Sequence, residues 1–206
     1  KGEYGEGDQF IGVVVPNLRI VAKKHFDADF DTLRELLASP YHEYRLTALL
    51  ALTYRYAKLK DHTSRETCVN FYVSQVDAIN NWDLVDLSCY KILGHWLFDK
   101  DKQLLYDWAK ENHLWKQRIA IISCMHFVKQ GEFKDALAIA DLLQHHPHDL
   151  IHKAVGWILR EIGKEDEQLL VDYLTPRYKE MPRTMLRYAI ERFEEGKRKA
   201  FLNSTI

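Results

Sequence analysis

The chain's 206 residues are 47% hydrophobic and 29% charged, the composition of a folded globular protein large enough for one domain with a substantial core. With 29 Lys and Arg against 30 Asp and Glu, the net charge of −1 exerts no overall pull on a polyanion. No apolar run approaches the roughly 18 to 20 residues that span a bilayer. The opening KGEYGEGDQF has no apolar signal-peptide core, so a cytoplasmic protein is expected.

GEYGEGD, at residues 2–8, has no strand before it and no Gly-Lys-Ser/Thr after it, and reads as a loop rather than a phosphate cradle. After about residue 15 apolar residues recur at three and four, and strand-like alternation is nearly absent. Following the break SPYHE, HEYRLTALLALTYRYAKL (42–59) predicts one amphipathic helix. NNWDLVD (80–86) puts Trp82 and Asp86 four residues apart, on one helical face. A carboxylate beside an indole on an apolar segment needs a partner, a solvent-lined groove or a chemical role. Beyond FDKDKQ, LWKQRIAIISCMHFVKQG (114–131) predicts a helix closed by Gly131. After HHPHD comes DLIHKAVGWILREIGKED (149–166), with Asp149 expected to cap its start and Gly163 near its end. TPRYKEMPR leads into a basic C-terminal stretch, residues 177–199, with eight Lys or Arg against four Glu. By default such a stretch is a solvated helix end, and phosphate binding is the minority reading.

The breaks are short and no Gly/Ser-rich or Pro-rich linker intervenes, so the expectation is an all-α protein of roughly ten to twelve helices forming a single domain over 1–206. Cys68, Cys89 and Cys124 are widely spaced in apolar helical contexts, which suits buried thiols better than a disulfide framework or a zinc site. The histidines of HHPHD (His145, His146, His148) flank a proline and have no second cluster, so an interhelical turn is expected there rather than a metal site.

Aligning YRLTALLAL, VDLSCYKILG, KQRIAIISCM and IHKAVGWILR puts Arg45, Asp86, Arg118 and Lys153 in equivalent places, at intervals of about 32 to 41 residues. Two helices per unit at such a period predict a HEAT-like or ARM-like solenoid, whose second helices line a concave surface. The four charges then form a row across that surface. Trp82 precedes Asp86 by four residues, Trp115 precedes Arg118 by three, and Trp157 follows Lys153 by four. Indole faces with one carboxylate among cations suit a cationic ligand lying close to phosphates. Purines alkylated at N3 or N7 in DNA have that character.

The ordered set GEGDQFIGVVVPNLR, HEYRLTALLAL, NNWDLVD, LWKQRIAI and KAVGWILRE resembles the bacterial DNA alkylation-repair glycosylases of the AlkD-like type, over about residues 1–195. The resemblance implies a HEAT-like superhelix with a concave face on duplex DNA, further helices before Lys1, and removal of cationic 3-methyladenine and 7-methylguanine. It implies a monofunctional, monomeric glycosylase with no cofactor and no metal, acting without base flipping and associated with the nucleoid when bound to DNA. Residue by residue, the aspartate closing W-D-x-V-D falls on Asp86 and its tryptophan on Trp82, the arginine of W-x-x-R on Arg118, and the tryptophan of K-A-x-G-W on Trp157. Asp86, Trp82 and Trp157 are thus the expected catalytic residues, with Arg118, Arg45, Lys153 and Trp115 expected to bind DNA. The competing expectation is a non-catalytic HEAT-repeat module binding DNA or protein, in which the tryptophans pack and Asp86 only pairs with Arg118. A Schiff-base lyase using Lys153 is a further alternative.

Overall fold

A computed structural model describes residues 7–205. Secondary structure among them is helical apart from an isolated parallel bridge between Gln9 and Tyr41. GEYGEGD up to Glu6 lies outside the described residues. The chain divides into two compact units, residues 1–100 and 101–206. No described helix is long and apolar enough to cross a membrane.

The first unit contains α1 (Val15–Lys24), α2 (Phe30–Leu37), α3 (His42–Lys58), α4 (His62–Ser74), a 3-10 turn (Val76–Ala78) and α5 (Trp82–Asp86). A π-helical turn, Tyr90–Gly94, then runs directly into α6 (His95–Leu97). The predicted 42–59 helix is α3, one residue shorter, because Leu59 turns to an extended conformation. α1, α2, α4, α5 and the π turn all pack on α3. Their packing explains why α3 buries residues around most of its circumference, from Leu46 through Leu49, Leu50 and Leu52 to Tyr56. α2 and α4 begin at aspartates that satisfy free backbone donors: Asp29 accepts from the Thr32 N–H at 2.7 Å and Asp61 from the Ser64 N–H at 2.8 Å.

Residues 8–12 form a strap along the start of α3. The Gln9 carbonyl accepts from the His42 N–H at 2.8 Å, and the Glu43 carboxylate accepts from the N–H groups of Ile11 and Gly12. Gly12 has φ +83°, a conformation costly for any residue with a Cβ, and it lets the strap turn away after that contact.

The second unit contains α7 (Gln103–Lys110), α8 (Leu114–Ser123), α9 (Met125–Val128), α10 (Lys134–Leu143), α11 (Asp149–Glu165), α12 (Glu167–Leu174), α13 (Arg183–Ala189) and α14 (Glu195–Asn203). α11 is its centre and packs on α8, α9, α10, α12 and α13. Its buried stripe, Leu150, Ile151, Ala154, Val155, Ile158, Leu159 and Ile162, follows the helical period. Gly156 sits where α13 crosses. A Cβ there would lie 2.5 Å from the Met185 carbonyl oxygen and 2.5 Å from Tyr188 Cβ, so the close approach requires glycine.

Two local expectations are corrected. The helix predicted over 114–131 breaks at Cys124, whose N–H bonds back three residues to the Ile121 carbonyl at 3.1 Å, separating α8 from α9. Gly131 still ends the segment at φ +79°. His148, not Asp149, caps α11: its Nδ1 accepts from the Leu150 N–H at 3.1 Å, while Asp149 lies in the first turn and pairs with Lys153 at 3.0 Å. Gly163 lies near the end of α11, as expected, against Leu170. All three cysteines are buried, as expected.

Candidate functional site

NNWDLVD folds as the start and whole length of α5, with Asn81 as the extended N-cap residue. The helix exposes Trp82, at 43% of its surface, and buries Leu84, Val85 and Asp86. An indole open to solvent at the N-terminus of a helix otherwise sunk in the core is available for stacking. Asp86, at 9% exposure, places a carboxylate in a region of reduced dielectric, where its field acts more strongly than in water.

The residues on either side of Trp82 are both tied down. Asn81 donates from Nδ2 to Asp8 Oδ2 at 2.6 Å, and Asp83 Oδ2 lies 2.8 Å from His42 Nε2. The other His42 nitrogen, Nδ1, is 3.0 Å from Asp8 Oδ2, and Arg45 Nη2 donates to Asp8 Oδ1 at 2.5 Å. A histidine with a carboxylate oxygen at each ring nitrogen donates at both, which makes it an imidazolium. Burial alone would lower its pKa, but the bonds to Asp83 and Asp8 outweigh burial and hold it above the ordinary histidine value. Burial raises the Asp8 pKa, and the bonds from Arg45, Asn81 and His42 together outweigh it, so the carboxyl sits below its ordinary range. The ring of Phe10 lies over His42 at 5.0 Å and is itself 57% exposed.

Sequence reading singled out Arg45, Trp82 and Asp86 in this unit but missed Asp8, His42, Asn81 and Asp83. The Asn and Asp flanking Trp82 were the available signal. Arg45, placed in the charge row by its register, is buried and engaged by Asp8. An apolar cavity of about 420 Å³ between α1, α2 and α3, with Leu18, Ala22, Leu33 and Ala51 in its wall, includes none of the expected site residues.

The remaining expected residues belong to the second unit. Arg118 on α8 is buried and donates from Nη1 to the Leu150 carbonyl on α11. Lys153 and Trp157 lie on α11 and Trp115 on α8, all three half-buried, with Lys153 paired to Asp149. The C-terminal basic stretch is partly neutralised: Arg177 is bonded to Asp141, Lys197 to Glu167 and Lys199 to Glu195. Arg187 and Arg198 instead border a small cleft with Ile190 and Leu202. In HHPHD, His146 Nε2 lies 3.0 Å from Gln117 Oε1, and His148 caps α11. No group of three or more His, Cys, Asp or Glu among the described residues is arranged to hold a metal.

Packed helices around central α3 and α11, with an exposed indole on the same short helix as a buried carboxylate, define an all-helical protein of the helical-repeat class. Residues 2–193 match the family described as DNA alkylation repair enzyme, and the chain belongs to that family. The fold is similar to that of a structure described as a predicted DNA alkylation repair enzyme from Enterococcus faecalis. That likeness has a TM-score of 0.71 at 14% identity and covers 92% of this chain and 90% of the other. No curated protein matches the sequence.

Proposed function

We propose that the protein is a DNA glycosylase that hydrolyses the N-glycosidic bond of cationic alkylpurines, 3-methyladenine and 7-methylguanine, in duplex DNA. The observation that carries this reading is α5, with Trp82 exposed at its first residue and Asp86 buried at its last, in a chain of the DNA alkylation repair family.

An alkylated purine already carries positive charge, so its departure needs no proton. As the bond from C1′ to the base nitrogen breaks, its electron pair goes to the base, which leaves neutral, and the positive charge passes to the deoxyribose as an oxocarbenium ion. Water adds at C1′ and loses its proton to the carboxylate or to solvent. A fixed carboxylate lowers the barrier by stabilising the sugar cation and orienting that water. Asp86 is assigned this role and Trp82 the stacking surface beside it. No base flipping is invoked, because a carboxylate and indole directed at the sugar do not require the base to enter a pocket.

The second unit supplies contacts of its own in this reading: Trp157 against deoxyribose, and Arg118, Lys153 and Trp115 toward the DNA backbone. Arg118 and Arg45 each have an N–H already occupied, by the Leu150 carbonyl and Asp8 respectively. A guanidinium is a rigid planar fork, so such bonds fix the orientation of the group. Near-neutral net charge confines the electrostatic footprint to local patches rather than the whole surface. The protein acts as a monomer without a cofactor in this proposal.

The test is single-turnover release of 7-methylguanine from a duplex oligonucleotide, comparing wild type with Asp86→Asn. Wild type is expected to exceed spontaneous depurination, and the variant to lose at least about tenfold, or roughly 1.4 kcal/mol of transition-state stabilisation. A wild type that binds the duplex but releases base no faster than buffer would establish the non-catalytic binding module instead.

A further inference from the structure

The residues on either side of Trp82 are both held by long-range bonds. Asn81 before it and Asp83 after it are held by one charged cluster whose other members come from two distant segments, Asp8 on the strap and His42 and Arg45 on α3. α5 is only five residues long, too short to hold its own geometry in water. Its start is therefore fixed from outside. Asn81 makes no capping bond with its side chain; its Nδ2 donates to Asp8 instead, which ties the helix start to the strap.

We propose that His42 is a positioning residue for the site described above: bridging Asp8 and Asp83, it fixes the N-terminus of α5 and so holds the Trp82 indole where it meets DNA. This rests on the glycosylase reading only for its effect on base release; the clamp itself is a claim about Trp82. The groups facing His42 are Asp8 and the Phe10 ring from the strap and Asp83 from α5, with Arg45 on its own helix bonded to the shared Asp8. Glu43, the next residue, is committed to the N–H groups of Ile11 and Gly12. The bridge exists only while both ring nitrogens carry protons. Loss of one turns a donor into an acceptor facing a carboxylate, and the clamp opens at Asp8 or at Asp83.

Three further atoms show how closely the cluster is built. Arg45 Nε, Asn81 Oδ1 and Asp83 Oδ1 are buried without a hydrogen-bond partner among the described residues. Such a cluster persists because its charged bonds compensate, so removing its one imidazolium leaves two carboxylates facing each other's field.

The experiment has two arms. In the first, single-turnover base release is measured for wild type, His42→Gln, Trp82→Ala and the double variant, with duplex affinity and thermal unfolding in parallel. His42→Gln is expected to slow release about tenfold with little change in duplex affinity, since misplacing a contact group impairs the transition state more than ground-state binding. In the Trp82→Ala background the same change should cost less than about twofold, because the group it positions is gone. Equal losses in both backgrounds would overturn the proposal. In the second arm, nitrogen–proton NMR follows the Trp82 indole N–H, assigned by its disappearance in Trp82→Phe, as pH is raised. The signal should shift with the His42 titration above the ordinary histidine range and stay fixed in His42→Gln. An indole signal indifferent to His42 refutes the clamp. If wild type releases no base, the glycosylase reading fails, and the NMR arm still decides whether His42 holds Trp82. Should His42→Gln fold poorly, Asp83→Asn serves in its place, since it weakens the same bond without a change of size.

Discussion

Gly156 precedes Trp157 on α11 and is the point where α13 packs most intimately, so Gly156→Ala tests the packing that carries a proposed site residue. The added Cβ would stand 2.5 Å from the Met185 carbonyl oxygen, 2.5 Å from Tyr188 Cβ and 3.3 Å from the Met185 carbonyl carbon. Two of these are backbone atoms and the third is the stem of a side chain, so none can swing aside. α11 and α13 must separate, and overpacking of this kind costs about 1–3 kcal/mol. Alanine recovers about 1 kcal/mol over glycine in a helix interior. With several rigid obstacles the steric cost belongs at the upper end, leaving a net loss of about 2 kcal/mol, which corresponds to a fall in Tm of about 4–8 °C at this chain length. Gly163→Ala on the same helix is the control. Its nearest obstacle is Leu170 Cδ2 at 2.5 Å, the flexible end of a side chain, so steric cost and helix gain should cancel to within about 1 kcal/mol. Urea and thermal unfolding followed by helical circular dichroism measure both. The reasoning is refuted if Gly156→Ala is as stable as wild type, or if Gly163→Ala is the more damaging of the two.

Stability should rise from acid pH to a maximum near or just above pH 6.5 and decline as the His42 contribution is lost. Asp8 and Glu43 have pKa values held below the ordinary 3.8 and 4.5, so their contribution is present above those values and is lost as pH falls through the lower, folded-state ones. His42 is raised above 6.5, so its contribution is complete below that value and is lost as pH rises through the folded-state one. His95 and His146 are lowered by burial and subtract stability as pH falls below 6.5. The difference between wild type and His42→Gln therefore isolates the clamp, and that difference should shrink as the urea midpoint is followed into the alkaline range. Phe201 on α14 is fully buried against Tyr178 and Phe193, so Phe201→Ala should cost about 3–5 kcal/mol in equilibrium unfolding. A loss below about 1 kcal/mol would mean that α14 does not belong to the cooperative core.

The elements most legible in the sequence are those fixed by local chemistry. α3 and α11 were readable to within a residue because their apolar spacing and short flanking breaks act within a few turns. Trp82 and Asp86 could be singled out because an indole and a carboxylate one turn apart are conspicuous on an apolar segment. The cap of α11 was read one residue late, since Asp149 and His148 both offer acceptors and only the backbone path chooses between them. The break at Cys124 depends on how α9 packs on α11, which no local pattern records.

What only the tertiary structure decided is what each polar side chain faces. Asp8, His42 and Asp83 are separated by 34 and 41 residues along the chain, yet their side chains bond at 3.0 and 2.8 Å. Arg118 reaches the Leu150 carbonyl across 32 residues. Helix formation is decided by neighbours three and four residues away, so a sequence displays it. The partner of a buried charge is decided by which helices come to lie side by side, and many sequence-distant partners satisfy the same local pattern.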